Sequence, residues 1–563
     1  MPDYLLSPYV HPIESHLDPE NIRYAVFHQL TGRVFEPPAV VLNLLSTARA
    51  GARMRFEREQ LLNMREVGMI VLDLIDHQFL VIEGTDPFES FLDYYPVRPI
   101  QNPAITYQSD DGDLIAVRMS MLQRICSPTR GDLEEVIEET LPSLPAGILI
   151  SSDGSNTLRQ LLERFDVPID EGKGVVEFLS DPERQLIKLT QHAVDLDNPI
   201  QPFNTVPRSL HHSAKWEPSA SNDVSSISEF HQQGIQDANW EFDVIEPTVN
   251  HSLRFPSEIL GGRSYGAQFS AKTLTADVLG ERATGVLNVL EVGGGTGTFA
   301  CSFLKQAREH SEWTLNYHLL ELSPALAANQ KKLLTADGLE VEHFIQDAVS
   351  FSIPDRKFDL IIANEVIADF PVSAVQRRDE PDDGWAGDGA IYLEKYGLPI
   401  HDAPASFKIN SGVFEFIERA WEHLQPGGTA ILTEYGFVDG FPVQILHLNH
   451  EEFSIHFGHV KACAERVGFS CRLLSLIEFL QIDEQIPVVA GTDQHIICLN
   501  HVLKRFNQSL PFAAITKSDF EAKFQTAFEA TNASGVRFIS LQHGYHYGPP
   551  LNEFMVLIMD KPS

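Results

Sequence analysis

Apolar residues recur along this chain with two periods, and the switches between them mark out its elements. From Asn21 to Phe35 apolar and polar positions mix on either side of Leu30-Thr31-Gly32, which predicts a β-hairpin with glycine in the turn. Pro37-Pro38 ends that pattern, and Val40, Val41, Leu44 and Leu45 then predict an amphipathic helix over Ala39–Ala48. Met64, Val67, Ile70, Val71 and Leu74 stand at helical spacing and predict a second helix over Glu57–Ile75. Further helices are expected at Asp132–Thr140 and Thr157–Phe165, followed by Gly174–Leu179 and a β-like Gln185–Leu189. Asn198–Ser226 is rich in Pro, Ser, Asn and His without periodicity and reads as a linker. Helical spacing resumes at Ile227–Ile235, Asn239–Val244 and Ala271–Leu279. Short apolar runs then alternate with longer helical ones. Strands are expected at Asn288–Val292, Asn316–Leu322, Val341–Ile345 and Phe358–Ala363, with a helix over Thr298–Arg308. His495–Leu499 and Phe554–Met559 read as a closing antiparallel pair. The alternation predicts an α/β doubly wound sheet preceded by small α+β domains.

Length and charge sharpen this picture. At 563 residues the chain should divide into several domains, each with its own core. The pattern places a small α+β domain at 1–100, a second at 101–197, the linker at 198–226 and the α/β domain at 227–563. A helical lid (227–282) opens that last domain and an acidic insertion (377–405) interrupts it. No run of about 18 apolar residues predicts a membrane span, and Met-Pro-Asp-Tyr does not begin a secretory signal. Five sparse cysteines (Cys126, Cys301, Cys463, Cys471, Cys498) without a C-x-x-C pair fit a reducing cytoplasm, with no disulfide frame and no zinc site. A net charge of −36 argues against a nucleic-acid partner. It favours a cationic substrate or peptide, or simply keeps the protein soluble.

The candidate chemistry centres on Asn288-Val289-Leu290-Glu291-Val292-Gly293-Gly294-Gly295-Thr296-Gly297, where an apolar strand ends in an acid and a glycine-rich turn leads into a helix. Such a turn presents backbone N–H groups and a helix N-terminus to a nucleotide-like ligand. A dinucleotide site requires Gly-x-Gly-x-x-Gly, but the sixth position from Gly293 is Thr298. The pattern of Glu291 with Gly293, Gly295 and Gly297 instead resembles motif I of class I S-adenosylmethionine (SAM) methyltransferases. In such a Rossmann-like sheet Glu321, at the end of the second strand, suits the ribose diol, because two acceptor oxygens match two hydroxyls. Leu322 adjoins it. The resemblance places Gln346-Asp347-Ala348, after the third strand, at the adenine, with Asp347 at its amino group.

Beyond the fourth strand the chain resembles a narrower family. Ala363-Asn364-Glu365 and Pro371-Val372 match the signature of MidA-type methyltransferases, related to the complex I assembly factor that methylates arginine. The family's Asp position reads Ala368 here, with Asp369 one place later. Leu432-Thr433-Glu434-Tyr435-Gly436 and Glu452–Phe457 agree with two further segments. The likeness covers about residues 285–485. It implies SAM as cofactor, no metal, and Asn364 and Glu365 beside the transferring methyl. Glu365 is the first catalytic candidate, as a carboxylate that holds an amine or guanidinium, with Asp369 and His456 after it. A lone histidine is as readily structural.

Other features stay open at this level. Tyr265 in Gly261–Gly266 either touches cofactor or substrate or packs a glycine turn, and the insertion is either a substrate-facing loop or a solvated excursion. His543, Tyr545, His546 and Tyr547 suit an acceptor pocket; with no carboxylate near them, a metal is not expected. Residues 20–85 resemble the small peptide-recognition domain of the PQQ-biosynthesis chaperone, and 110–195 resemble a winged helix. The expected function is therefore methyl transfer from SAM to a peptide or protein, including a ribosomally made peptide whose leader the N-terminal domain binds. A homodimer is compatible with this. The alternatives are a non-catalytic assembly or binding protein that keeps the SAM fold, which the displaced Asp369 favours, and a small-molecule methyltransferase. A nicotinamide-dependent oxidoreductase is disfavoured by Thr298.

Overall fold

The computed structural model describes residues 3–15, 23–35, 65–99, 104–118, 136–182, 184–194, 248–279, 285–309, 313–378, 384–401, 403–447 and 450–563, with scattered residues between 41 and 61. Within the last range, residues 492, 512, 544, 545, 547 and 549 are not described. The linker, the helices expected at Ile227–Ile235 and Asn239–Val244, most of Ala39–Ala48, Cys126, and Tyr545 and Tyr547 lie outside the described residues. Two compact units emerge: Met1–Glu217 with Val489–Pro511 and Phe520–Ile539, and Pro218–Val488 with Phe512–Asp519 and Ser540–Ser563. A domain running unbroken from 227 to 563 does not anticipate that the chain twice returns to the first unit.

In the first unit the hairpin forms as the pattern requires, with Arg23–His28 antiparallel to Arg33–Phe35 and Val10–Ser15 on its other side. A helix at Arg65–Asp76 buries Val71, Leu72 and Leu74. Of the helix expected at Asp132–Thr140, residues 132–135 lie outside the described residues, and the rest falls in the strand Ile137–Leu141, paired with Leu114–Arg118. Its Ile-Glu-Glu-Thr-Leu pattern needs a partner strand to decide the matter, and the sheet supplies one. Leu158–Arg164 is helical, started by a capping box of Thr157 and Gln160. His495–Leu499, expected as a strand, lies inside the helix Asp493–Leu503. A run of four apolar residues does not distinguish a buried strand from a buried helix turn.

The second unit is built on one mixed sheet. Its strands on the main path are β1 (Gly285–Val292), β2 (Trp313–Glu321), β3 (Glu342–Ile345), β4 (Phe358–Asn364), β5 (Leu424–Phe437), β6 (Ser470–Ser475) and β7 (Phe554–Asp560). They lie in the order β3-β2-β1-β4-β5-β7-β6. β1 to β5 pair in parallel, and β7 runs antiparallel between β5 and β6. Alternate residues of each strand enter opposite cores. Val289, Leu319, Leu360 and Ile362 pack with Phe269, Phe299 and Phe303, while Leu290, Leu320, Ile361 and Ala363 pack with Phe414, Phe416 and Phe457. Burial on both faces explains why these strands are near-continuous apolar runs.

The covering helices include α1 (Tyr265–Thr273), α2 (Thr298–Glu309), α3 (Pro324–Ala336), α4 (Ser411–His423) and α5 (Phe457–Val467). Chain order reverses between β1 and β4, so their carboxyl ends open the crevice where a doubly wound sheet takes its ligand. The insertion is not irregular. Ser373–Arg377 pairs antiparallel with Trp385–Ala386 and Ser406–Ile409, and Leu393 and Tyr396 of the helix Ala390–Tyr396 enter the second core. Among the described residues, no helix is long and apolar enough to cross a membrane.

Candidate active site

The glycine turn joins β1 to α2 at the reversal point. Gly293 N–H donates to the Leu320 carbonyl at 2.9 Å, closing the turn onto β2. Gly293 sits at φ +69°, and a Cβ there would lie 2.4 Å from Val366 Cγ2. Only glycine meets both demands. The turn therefore packs against the residue that follows Asn364-Glu365, which brings motif I and the end of β4 together. Gly294, Gly295 and Gly297 complete the turn, and Gly297 N–H donates to the Gly294 carbonyl at 2.8 Å just before α2.

Glu291, at the end of β1, is buried and accepts a 2.7 Å hydrogen bond from the Tyr317 hydroxyl. Burial pushes its carboxyl up to about 8, against the smaller opposing effect of that bond. A folded-state value raised above the unfolded one means that the folded chain holds a proton the unfolded chain lacks. Its stability contribution therefore falls as pH rises from about 4.5 to about 8. Glu291→Gln is expected to escape this loss. The melting temperature of wild type relative to the variant should drop between pH 5 and pH 8, and a pH-independent difference would refute the assignment.

Glu321 closes β2 and is 5% exposed. One carboxylate oxygen accepts from Ser323 N–H at 3.0 Å and the other from Gln330 Nε2 at 2.8 Å. The same Gln330 Nε2 reaches the Gly295 carbonyl at 2.9 Å, so one side chain of α3 ties the acid to the turn. Burial raises the Glu321 carboxyl, opposed by these hydrogen bonds. The Leu322 and Gly294 backbone N–H groups also face this carboxylate, so a ribose diol would share its roughly four lone-pair directions with these donors. Gln330 Oε1 is buried with no partner among the described residues, an acceptor awaiting a donor beside the turn. Nothing in the sequence singles out Gln330; its role follows from the packing of α3 on the turn.

Leu322 is half-buried beside Glu321. Gln346 N–H donates to the Glu321 carbonyl at 3.2 Å and its Oε1 accepts from Ser352 N–H at 2.9 Å. Asp347 is exposed and caps its own turn by accepting from Val349 N–H at 2.8 Å, and Ala348 packs on the second core. The adenine-side candidates thus follow β3 directly, next to the ribose-side acid. Acid, turn and orphaned acceptor together fit SAM, whose sulfonium methyl supplies the electrophile when it is bound.

Asn364 and Glu365 form the other wall. Asn364 Oδ1 accepts from the Tyr265 and Thr433 hydroxyls, each at 2.7 Å, which gives the buried Tyr265 of the lid a polar role. Glu365 adopts φ +52°, a conformation that costs a non-glycine residue energy and is met mostly at functional sites. Its carboxylate accepts from Val249 N–H at 2.6 Å, Asn250 N–H at 3.0 Å and Asn364 Nδ2 at 3.2 Å. Val249 and Asn250 open the short helix Val249–Ser252, so Glu365 takes that helix's first free donors. Desolvation pushes Glu365 up to about 7 despite those bonds. Asn250 also donates from Nδ2 to Thr298 Oγ1, the first residue of α2, at 3.1 Å.

Glu434 on β5 stood in a matched segment but was not singled out. It is buried, accepts from Tyr435 N–H at 3.0 Å and Ala368 N–H at 3.2 Å, and is pushed up to about 8 by burial, with Glu365 and Glu452 adding to the shift. A second acid near Glu365 appears only when β4 and β5 pair. Asp369 ends the single turn Ile367–Asp369 beyond that wall. His456, paired to Phe437 at the end of β5, caps α5, accepts from His459 N–H at 3.2 Å, and stacks on the His459 ring at 3.6 Å with Phe441 against its edge. Burial and His459 hold its imidazole well below its ordinary value. His546 is buried, and of the expected histidine–tyrosine pocket no arrangement is defined by the described residues. Among the described residues no group of three or more metal-ligating side chains is placed to hold a metal.

No curated protein matches the chain. Among solved structures, a superfamily member from Burkholderia thailandensis bound to S-adenosyl-homocysteine is 16% identical, covering 62% of this chain and 95% of that one with a TM-score of 0.34. Haemonchus contortus phosphoethanolamine N-methyltransferase 2, in complex with phosphomonomethylethanolamine and S-adenosylhomocysteine, is 13% identical over 60% of this chain and 61% of that one, TM-score 0.31. At such scores the likenesses decide nothing, and the fold stands on the strand order itself. Residues 275–389, which contain the glycine turn, Glu321, Asp347 and Asn364-Glu365, match a family described as "Putative S-adenosyl-L-methionine-dependent methyltransferase". The second unit thus carries the sheet, the cofactor turn and the family match of a SAM-dependent methyltransferase.

Proposed function

We propose that this chain is a SAM-dependent methyltransferase acting on a peptide or protein. The single observation that carries the transferase reading is the contact of Gly293 with Val366, which sets the cofactor turn against the Asn364-Glu365 wall. Methyl transfer is an in-line displacement, so the protein's work is alignment and, where needed, removal of a proton. Asn364 is fixed by Tyr265 and Thr433. It orients Glu365, whose carboxylate is suited to hold a cationic or N–H-bearing acceptor and to take its proton.

The peptide reading draws on the first unit, where the strand Arg33–Phe35 closes a three-stranded antiparallel sheet and offers an edge for an added strand. A leader-binding domain of the PQQ-chaperone type, and MidA-like methylation of arginine nitrogen, are the finer forms of this proposal. Tritiated methyl from SAM is expected to enter acid-precipitable protein when the chain is incubated with cell extract. Label confined to small molecules would replace the peptide reading with the small-molecule one. SAM binding without any transfer would instead support the assembly-protein reading, which the engagement of Glu365 by two backbone amides favours.

A further inference from the structure

No motif singles out Asn250, yet it joins the two sides of the crevice. Its backbone N–H donates to Glu365 Oε1 at 3.0 Å, beside that of Val249, which donates to Oε2 at 2.6 Å. Its side chain reaches the other way, with Nδ2 donating to Thr298 Oγ1 at 3.1 Å. Thr298 opens α2, and its hydroxyl meets that of Thr296 in the glycine turn at 3.1 Å. Glu365 follows β4 and Thr298 follows β1 across the turn, so these groups flank the point where chain order reverses. Residues 248–253 therefore cross from the acceptor wall to the cofactor turn.

The crossing is held differently at its two ends. Val249 and Leu253 are buried in the core that holds Phe269 and Phe299. The Ser252 carbonyl accepts from Ala514 N–H at 2.9 Å and the Leu253 carbonyl from Tyr265 N–H at 2.8 Å, which fixes the far end. The helix Val249–Ser252 is a single turn, with Thr248 Oγ1 accepting from His251 N–H at 3.0 Å. One turn does not hold itself together in water, so tertiary contacts decide where it lies. At the crevice those contacts are the bonds to Glu365 and the bond to Thr298. The latter joins two neutral, half-buried side chains, for which water competes. It is the tie most readily broken.

We infer that residues 248–253 form a strap that Asn250 latches across the crevice, and that cofactor exchange waits on its release. The inference rests on the SAM reading: a ligand seated between the glycine turn and the Asn364-Glu365 wall lies within the span that Asn250 closes. Once unlatched, the strap pivots about Ser252 and Leu253, whose bonds to Ala514 and Tyr265 stay in place. The same movement lifts the Val249 and Asn250 amides off Glu365 and opens both of its oxygens to the acceptor. Cofactor exchange and exposure of the acceptor-side carboxylate thus become one event.

Asn250→Ala tests this in the full chain, because it removes the bond to Thr298 and keeps the backbone N–H on Glu365. Stopped-flow binding of SAM and of S-adenosyl-homocysteine should show association and dissociation rates rising together by about fivefold, the worth of one neutral hydrogen bond, with the dissociation constant within about twofold of wild type. A side chain that merely touched the cofactor would raise the dissociation rate alone. Deuterium exchange measured without cofactor should quicken in the peptide that contains Val249 and Asn250, while peptides from β1 and β4 keep their rates and show the sheet folded. SAM binding with unaltered rates, or a change in dissociation alone, would overturn the strap and leave the cofactor reading standing. A wild-type chain that binds neither ligand would sink that reading itself, and the strap with it.

Discussion

Glu321→Ala is expected to raise the dissociation constant for SAM by about a hundredfold or more. Two hydrogen bonds from a ribose diol to a charged acceptor are each worth about 1.5–3 kcal/mol, and every 1.4 kcal/mol is tenfold. The loss should exceed the ribose contacts alone. Without the carboxylate, Gln330 Nε2 keeps only the Gly295 carbonyl and Ser323 N–H is left without its acceptor. The turn then keeps its backbone bond from Gly293 to Leu320 but loses its side-chain tie to β2. Gln330→Ala, which leaves the acid in place but removes its two bonds to the acid and the turn, should weaken SAM binding by a smaller factor, on the order of tenfold, because the groups that meet the ribose remain. Isothermal titration with SAM measures both. Unchanged affinity in Glu321→Ala would remove the ribose-side assignment and leave the turn without its partner.

The second large effect is expected at Glu365. Glu365→Gln should lower the rate of methyl transfer by about 10²–10³-fold, the range of general acid–base contributions, with SAM affinity within about threefold of wild type. Two causes act together. The amide does not take a proton, and its NH2 group would face Val249 or Asn250 N–H, setting donor against donor at the start of the lid helix. The pH profile separates them. With Glu365 pushed up to about 7 by burial, transfer by wild type should rise tenfold per pH unit below that value and level off above it. The variant should lack that limb. Stability should move the other way in wild type, falling as pH rises from about 4.5 to about 7, because the folded chain holds a proton there that the unfolded chain has released. A variant with full turnover would return Glu365 to a purely structural cap.

The readings that survived share a physical basis. β1, β2, β4 and β7 were legible because strands buried on both faces are largely apolar and stop at glycine or polar turns. Gly293 was legible because a positive φ and a 2.4 Å approach to Val366 admit one residue type. Where the reading failed, local pattern left two outcomes of similar energy. Ile137–Leu141 became a strand because Leu114–Arg118 was there to pair with it, and Asp493–Leu503 became a helix through a run of four apolar residues, Ile496 to Leu499, that suits either form. The acidic insertion gave no periodic signal, yet Ser373–Arg377 finds Ser406–Ile409 about 30 residues away and builds an ordered sheet.

By itself, the sequence determined the cofactor side of this protein. Glycines at fixed spacing, an acid at the end of each of two strands, and Asn364-Glu365 after a third all lie within short segments whose chemistry does not depend on what packs nearby. Only the tertiary structure decided the rest. It made His456 a helix cap, set Glu434 in the field of Glu365, and gave Gln330 its hold on both Glu321 and Gly295. Contacts between residues far apart in the chain leave no periodic trace. Their energy comes from burial and pairing, which exist only once the chain has folded.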